Sequence, residues 1–526
     1  MPKSVDELLM RFPMVLSTML IWVTKGFRNL PVRSVRKSWG RNKGSTIDQI
    51  ATHLMSAPYS LELEVARDIV AHASTVARSL QGRSLVVQKD DVAAITEGSA
   101  PTPAGANPVT VADFTVQCLV LSALKDAFPR DRFIAEEDSA QLLSSGQATV
   151  AAVVRAVRAA AGRGATAATA TSATSAATAI SANNKNNLHS EEEVCSALDL
   201  GSTGLEGGWS ASKRTWVLDP IDGTKGFVRG DQFAIALALL DNGRPVLGLL
   251  GCPNLPPRLP LPPTRSLQPS SPSSFVGSLF WAEKGHGAYA ADLAIHDHGA
   301  VLRSGGDEEG KGATVHADAV GGSWTLDVSS AQKLPFAPPF SQLEKGDDNR
   351  ALNGGGGGGS TVAWDSAVRL EAFESAHSSH EVAAAAAAEL GMNQDSVVRL
   401  DGQGKYGLVA RGDAHVFIRL PRKGYQECIW DHAAGSLIVQ ESGGTVTDLR
   451  GEALDFSSEA HKSSRGAKLS PKVEGIVATG SALKARPLAE GSGKGNGDDE
   501  LSAHAELLLA LDYATKPSGA SGDARG

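Results

Sequence analysis

The segment Trp216–Leu240, which reads WVLDPIDGTKGFVRGDQFAIALALL, constrains the fold and chemistry of this chain more than any other. An apolar run ends there in two carboxylates, Asp219 and Asp222, on a turn that contains proline and glycine. Such a pair can face one divalent cation or bridge two, and hard cations such as Mg²⁺ prefer oxygen ligands. The backbone carbonyl of Ile221 between them is a further hard ligand. Taken alone, however, the pattern is more often an ordinary Asp-Gly turn.

Further acidic residues also lie at the ends of apolar runs. In RFIAEEDS, Glu136 and Glu137 follow a short apolar run directly, as at the end of a strand. Asp113 follows PVTVA and precedes a predicted helix, and Asp431 opens the predicted helix of IWDHAAGSLIVQESGG. Taken singly, adjacent glutamates are usually solvated, and an aspartate at a helix start is usually an N-cap. The local patterns therefore leave both structural and metal-binding roles open.

Length and charge limit the class of protein. The 526 residues exceed what one hydrophobic core normally supports, so two domains with extensions are expected. A formal net charge of -8 gives the surface no electrostatic reason to bind a polyanion, and nucleic acid is not an expected partner. The four cysteines are far apart and form no CxxC pair, which favours buried thiols in a reducing compartment.

Residues 1–45 are predicted to be an N-terminal extension. The apolar stretch Phe12–Val23 is shorter than the roughly 20 residues that a spanning helix needs, so no stable membrane insertion is expected. From Leu8 to Ile47 acidic residues are absent while Ser, Thr and Arg occur, which is typical of an organelle transit peptide. Chloroplast or mitochondrion is therefore the predicted location and the cytoplasm the alternative, in which case the segment is an ordinary amphipathic extension.

Composition divides the rest of the chain. Residues 46–300 are predicted to form an α+β domain with a poorly ordered, Ala/Thr/Ser-rich insertion at about 140–190, residues 301–487 an α/β domain, and residues 488–526 a disordered tail. Strands are expected near Phe233–Leu240 and Val409–Leu420. Long surface insertions add loop entropy only slowly, so a fold can carry them without losing its site.

The four acidic motifs stop being independent when their order is considered. PVTVAD, FIAEEDS, VLDPIDGT and WDHAAG occur in the order and context of the inositol monophosphatase superfamily, and the resemblance covers roughly Thr46 to Leu483 apart from the insertions. The strings GTKGFVRGDQFAIALAL, HSSHE, KYGLVARGDAHVFIRLP and GYQECIWDHAAG are more similar to its 3'(2'),5'-bisphosphate nucleotidase branch. The resemblance implies a layered α-β-α-β-α sandwich.

The same resemblance implies roles for individual residues. The implied metal ligands are Asp113, Glu136, Asp219, the carbonyl of Ile221, Asp222 and Asp431. Asp113 and Thr224 are the implied catalytic residues, which orient and deprotonate the attacking water. The implied substrate-binding residues are Thr224, His377, Lys405, Arg419 and Asp431. Gly402 departs from the family pattern, which has a serine there, and that hydroxyl contact is in doubt.

Local patterns say less about the basic residues of this set. His377 lies at a predicted helix start, and Lys405 and Arg419 lie in strand-like segments, so all three are also compatible with surface positions. Arg419 gains weight because a guanidinium is the preferred bidentate partner of a phosphate.

The activity implied by the resemblance is Mg²⁺-dependent hydrolysis of adenosine 3',5'-bisphosphate to AMP and phosphate, with two or three ions and a metal-activated water. A phosphate dianion does not approach five carboxylates unless cations invert the local charge, which agrees with that activity. Action on 3'-phosphoadenylyl sulfate, lithium sensitivity and a place in sulfur metabolism belong to the same expectation. The alternatives are an inositol polyphosphate 1-phosphatase and a catalytically silent phosphonucleotide-binding protein.

Overall fold

The computed structural model describes part of the chain. The described residues are 57–82, 86–87, 109–161, 190–205, 214–257, 275–296, 323–326, 331–335, 361–373, 379–422, 424–456, 468–486 and 502–515. The chain divides into two compact units, Met1–Pro58 and Tyr59–Gly526. The predicted N-terminal extension at residues 1–45 lies outside the described residues, and so does most of the predicted insertion. The boundary predicted between residues 300 and 301 stays a prediction.

Strands and helices alternate along the second unit. The strands are β1 (Val86–Val87), β2 (Val109–Thr110), β3 (Arg132–Ala135), β4 (Thr215–Asp222), β5 (Ala234–Asp241), β6 (Arg244–Cys252), β7 (Phe275–Glu283), β8 (Gly287–His296), β9 (Ser323–Leu326), β10 (Gln332–Lys333), β11 (Arg369–Glu371), β12 (Val397–Arg399), β13 (Val416–Arg419), β14 (Thr445–Asp448) and β15 (Ile476–Thr479). The helices are α1 (Ser60–Leu80), α2 (Val111–Ala127), α3 (Ser139–Ser144), α4 (Gln147–Ala161), α5 (Glu191–Asp199), α6 (Thr224–Val228), α7 (His380–Glu389), α8 (Gly404–Arg411), α9 (Ala433–Glu441) and α10 (Ala503–Thr515), with short 3₁₀ turns at Leu200–Ser202 and Trp364–Ser366.

Within the described residues, the larger sheet has eight strands. Its order is β10-β8-β7-β6-β5-β4-β3, and β9 pairs with β8. β3 and β4 are parallel, whereas the remaining pairs are antiparallel. β5 shows why this sheet is covered on both sides, because Leu237 and Leu239 face one core while Ala236 and Ala238 face another. The predicted strand Phe233–Leu240 is thereby confirmed.

The first face of the larger sheet is covered by α1 and α2, and α4 and α5 pack against α2. Helices α3 and α4 correct a prediction, because they lie in the segment that was expected to be a poorly ordered insertion. Leu142, Val153 and Val157 are buried there. Alanine-rich composition is typical of low complexity, but it also favours helices, and valines at helical spacing supply a core-facing side.

Helices α8 and α9 lie between the two sheets. The smaller sheet has the order β12-β11-β13-β15-β14, in which β12, β11 and β13 are parallel and β15 is antiparallel to both of its neighbours. Close packing in this middle layer depends on glycine: a Cβ atom at Gly435 would overlap the Tyr406 ring, and one at Gly407 would lie 2.8 Å from the Phe280 ring. The core between the sheets includes Phe280, Phe417 and Ile438.

The predicted strand Val409–Leu420 is only partly correct. Its first residues belong to α8, which ends at Arg411, and the strand β13 begins at Val416. Gly412 follows the helix with φ of 88°, a left-handed conformation that ends many helices. A short apolar run does not distinguish a buried strand from a buried helix by periodicity, which explains the error.

Helices α7 and α10 cover the outer face of the smaller sheet. Val416 and Ile418 of β13 share this core with Leu507 of α10, whereas Phe417 faces the other way. The tail at 488–526 was predicted to be disordered, and α10 corrects that prediction for Ala503–Thr515. The layers are helices, sheet, helices, sheet and helices, which confirms the α-β-α-β-α sandwich. Among the described helices, none is long and apolar enough to cross a membrane.

Candidate active site

Asp113 lies at the third position of α2 and is almost fully buried. Its Oδ2 accepts hydrogen bonds from the backbone nitrogen of Thr110 at 2.8 Å and from the Thr110 hydroxyl at 2.6 Å. Thr110 is the N-cap, and the two residues form a capping box. The alternative that Asp113 itself is the N-cap is therefore wrong. The box orients the Asp113 carboxylate at the N-terminus of the helix and leaves Oδ1 for other partners.

The end of β4 carries the DPIDGT motif. The pairing with β5 shifts register between Asp219 and Asp222, so this strand end is irregular. Asp219 is buried, and its Oδ1 accepts a hydrogen bond of 3.1 Å from the backbone nitrogen of Ile221. The hydroxyl of Thr224 lies 3.0 Å from the Ile221 carbonyl oxygen and 3.4 Å from Asp113 Oδ1. The structure therefore brings Asp113, Ile221 and Thr224 together, as the implied roles require.

Glu136 and Asp431 complete the acidic group. Glu136 follows β3 and keeps contact with solvent. Asp431 precedes α9, whose N-cap is His432 and makes no side-chain cap, so the alternative that Asp431 is a capping aspartate is wrong. β3 and β4 are parallel neighbours, and their carboxyl ends bring Glu136 to the same edge of the sheet as Asp219.

The five carboxylates form one electrostatic group, which we call the acidic cluster: Asp113, Glu136, Asp219, Asp222 and Asp431. Burial raises the pKa of both Asp113 and Asp431 to about 6. Burial, together with repulsion from Glu136, Asp222, Asp431 and Asp113, raises the pKa of Asp219 well above its usual value. Although Glu136 is partly exposed, the surrounding protein and the same neighbours raise its pKa too.

The acidic cluster fits a divalent cation site. Its donors are carboxylate oxygens and one backbone carbonyl, which are the ligands that Mg²⁺ prefers. The raised pKa values show that the group holds more negative charge than its neighbours neutralise. Positive charge from bound cations would remove this repulsion and keep the carboxylates ionised.

Two of the implied basic residues lie beside the cluster. Lys405 and Arg419 act against the burial that raises the pKa of Asp222. Lys405 is on helix α8 rather than in a strand, and it is buried. Its Nζ donates to the carbonyl oxygens of Leu400 at 3.0 Å and Gly402 at 2.9 Å, and burial lowers its pKa to about 8. His377 lies outside the described residues.

Sequence reasoning missed several polar residues of this site. Gln403 makes side-chain and backbone hydrogen bonds to Asp222. Glu427 and His432 lie within 4.8 Å of Asp431 by their ligand atoms. Lys468 lies 2.7 Å from the Cys428 sulfur and interacts electrostatically with Asp431 and Glu136. The strings GYQECIWDHAAG and KYGLVARGDA drew attention to the first three neighbourhoods, but no signal in the sequence pointed to Lys468.

The five-layered sandwich with an oxygen-rich acidic cluster at the ends of β3 and β4 defines an α/β protein with a candidate metal-dependent phosphate site. The model of the inositol monophosphatase family matches residues 60–304 and 359–489, which together make up more than half of the chain. The chain belongs to the inositol monophosphatase family.

Curated relatives of this chain carry a more specific name. A 3'(2'),5'-bisphosphate nucleotidase of Oryza sativa is 35% identical over 403 residues, which cover 76% of this chain and 87% of the relative. A protein of the same name from Schizosaccharomyces pombe is 32% identical over 399 residues, covering 76% of this chain and 88% of the relative. Among solved structures, a Thermotoga maritima IMPase has 14% identity and a TM-score of 0.39, with 86% of this chain and 97% of that chain covered.

Proposed function

We propose that this chain is a Mg²⁺-dependent 3'(2'),5'-bisphosphate nucleotidase that hydrolyses adenosine 3',5'-bisphosphate to AMP and phosphate. The observation that carries the proposal is the convergence of the acidic cluster with Ile221, Thr224 and Arg419 in a member of the inositol monophosphatase family. The curated relatives that bear this activity in their names support the choice of substrate.

The residues of the cluster divide into ligands and a water-activating pair. Asp113, Glu136, Asp219, Asp222, Asp431 and the Ile221 carbonyl would hold two or three Mg²⁺ ions. Bound ions supply charge neutralisation and lower the pKa of a water molecule. Asp113 and Thr224 are 3.4 Å apart, so a water hydrogen-bonded to the threonine hydroxyl can pass its proton toward the carboxylate. The capping box keeps Asp113 in this orientation.

Substrate binding is assigned to cationic and polar groups beside the cluster. Arg419 presents a guanidinium suited to bidentate contact with a phosphate, and its side chain is 19% exposed. Lys405 adds positive charge at the start of α8, while Thr224 and Asp431 contact the substrate from the cluster side. His377 completes the proposed set from outside the described residues. The proposed partner is therefore a small phosphorylated nucleotide.

A substrate panel tests the proposal. Phosphate release is measured from adenosine 3',5'-bisphosphate, 3'-phosphoadenylyl sulfate and an inositol 1,4-bisphosphate, with Mg²⁺ present and then chelated. We expect Mg²⁺-dependent release with the highest kcat/KM on the nucleotide bisphosphate. Preference for the inositol bisphosphate would instead identify an inositol polyphosphate 1-phosphatase, and binding without hydrolysis would identify a catalytically silent protein.

Three properties remain expectations of the same proposal. Lithium is expected to inhibit hydrolysis, and the activity is expected to belong to sulfur metabolism. Residues 1–45 are proposed to direct the chain to a chloroplast or mitochondrion. Sequencing the mature N-terminus tests the last point, because a mature protein that begins at Met1 would contradict cleavage of a transit peptide.

A further inference from the structure

A further carboxylate, Glu427, lies behind the acidic cluster. It is fully buried in the loop between β13 and α9. Its Oε1 accepts a hydrogen bond of 2.6 Å from Arg419 Nε, and its Oε2 lies 3.2 Å from His432 Nε2. Glu427 therefore joins the proposed phosphate-binding arginine to the residue next to Asp431.

The electrostatics show that Glu427 is ionised. Burial alone would raise the pKa of Glu427, but the charge of Arg419 and the hydrogen bonds from Arg419 and His432 outweigh burial and lower it to about 2. In turn, Glu427 and Asp431 raise the pKa of Arg419 against the effect of burial. A buried ion pair contributes little net stability compared with apolar residues of similar volume, so its retention points to a role in orientation.

The same chain of contacts continues to α8. His432 Nδ1 lies 2.8 Å from the hydroxyl of Tyr406, which is buried and follows Lys405 in the sequence. With the imidazole proton on Nε2, His432 donates to Glu427 and accepts from Tyr406. Arg419, Glu427, His432 and Tyr406 thus connect β13, the loop before α9, and α8 in one buried network.

The proposed substrate carries two phosphates, and they need different partners. The phosphate that is cleaved lies at the acidic cluster, where cations neutralise it. The second phosphate requires positive charge from the protein. Lys405 already donates to two carbonyl oxygens and is buried, whereas Arg419 is held through Nε and is partly exposed. A guanidinium fixed at Nε has its plane set, which pre-organises the terminal nitrogens for a bidentate phosphate contact.

We propose that Glu427 is a positioning residue that orients Arg419 toward the second, non-reacting phosphate of the substrate. The inference rests on the proposed function, because it assigns a phosphate that only a bisphosphate substrate carries. Glu427 acts through Arg419 and makes no contact with the reacting phosphate. It should therefore affect binding of the second phosphate and leave the chemical step largely unchanged.

Glu427→Gln tests this role with the two reaction products as probes. AMP carries only the second phosphate, and inorganic phosphate stands for the reacting one. We expect the KM for adenosine 3',5'-bisphosphate and the Ki for AMP each to rise about 10-fold, the scale of one charge-assisted hydrogen bond, while kcat changes less than about 3-fold and the Ki for phosphate is unchanged. A fall in kcat with unchanged KM, or equal rises in both Ki values, would overturn the inference.

The controls separate positioning from stability. Asp413 is also a buried carboxylate paired with an arginine, Arg411, through a bond of 2.7 Å to Nε, and Asp413→Asn should lower stability without changing KM. If Glu427→Gln does not fold, Glu427→Asp keeps the charge but withdraws it from Nε, and a normal KM in that variant would contradict the inference. In the double variant with Arg419→Gln, Glu427→Gln should add no further rise in KM, and additive effects would show that it acts elsewhere.

Measurement of the wild-type protein comes first. If it does not cleave or bind adenosine 3',5'-bisphosphate, the proposed function fails and this inference falls with it. If the wild-type protein is active and Glu427→Gln behaves like wild type, only the positioning role of Glu427 is overturned.

Discussion

Gly223 and Gly402 meet backbone to backbone beside the acidic cluster. Both have left-handed backbones, with φ of +93° and +71°. A Cβ atom on Gly223 would lie 2.9 Å from the Gly402 nitrogen, and one on Gly402 would overlap the Asp222 carbonyl oxygen. This contact joins the end of β4 to the turn before α8, so Asp222 is brought to Gln403 and Lys405. The closeness depends on the absence of both side chains.

Gly402→Ser restores the residue that the family resemblance expects, and we predict a loss rather than a gain. A serine there needs a left-handed backbone, which costs about 1–2 kcal/mol, and its Cβ must also displace the carbonyl of a proposed metal ligand. Stability to urea and kcat/KM should both fall. Gly391→Ser is the matched control, because Gly391 has φ of +75° with open space around it. Equal stability and activity for Gly402→Ser and wild type would contradict the prediction.

The positions of the candidate ligands relative to single strands and helices could be predicted from the sequence. Glu136 follows an apolar run and does follow β3, and Asp219 and Asp222 do lie at the end of β4. Their convergence could not be derived in this way. It depends on β3 pairing in parallel with β4 and on α2 packing against the sheet, and these long-range contacts leave no periodic trace in any one segment. Only the order of motifs shared with a known family supplied it.

The errors have a common physical origin. Lys405 was assigned to a strand because its surroundings are apolar throughout, yet buried helices and buried strands share that composition. The helices Gln147–Ala161 and Ala503–Thr515 were missed because neighbouring low-complexity sequence outweighed the helical spacing of Val153 and Val157, and of Leu507 and Leu511. Composition averages over a window, whereas burial depends on individual positions.

Asp222→Asn should separate the charge of the acidic cluster from the fold around it. The variant removes one negative charge from a group in which burial and repulsion raise the pKa values, so without metal it should be at least as stable as wild type. Turnover should fall about 100-fold or more, because a proposed ligand is lost. Thermal melting with and without Mg²⁺ should show a smaller Mg²⁺-induced rise in Tm than in wild type.

The exposed Asp365 provides a control for that experiment, since Asp365→Asn removes the same charge far from the candidate ligands in the sequence. It should retain wild-type turnover and the full Mg²⁺-induced rise in Tm. Near-normal turnover in Asp222→Asn would argue against the ligand assignment.

His415 should make the folded protein sensitive to mild acid. It is buried, its Nδ1 accepts a hydrogen bond of 2.9 Å from the Val368 nitrogen, and burial lowers its pKa from 6.5 to about 4. Because the pKa in the folded state is below that of the unfolded chain, the stability it permits is present above pH 6.5 and is lost as the pH falls toward 4. The loss amounts to about 2 kcal/mol by pH 5.

Urea unfolding of His415→Asn at pH 7.5 and pH 5 measures this effect. Asparagine can keep an acceptor near the Val368 nitrogen but does not titrate in this range. The variant should therefore lose about 2 kcal/mol less than wild type between the two pH values. Parallel losses in both proteins would show that other groups determine the pH dependence.

The helix Ala503–Thr515 offers a test of whether the C-terminal segment belongs to the fold. Leu507 is fully buried against the outer face of the smaller sheet, whereas Leu509 on the same helix is 58% exposed. Leu507→Ala should lower the free energy of unfolding by about 2–5 kcal/mol, because it leaves a cavity between the helix and the sheet, and Leu509→Ala should change it by less than about 0.5 kcal/mol. Urea denaturation of both variants compares two identical substitutions that differ only in burial. Similar midpoints would mean that this helix does not stabilise the sandwich, and the fifth layer would then not be part of the cooperative unit.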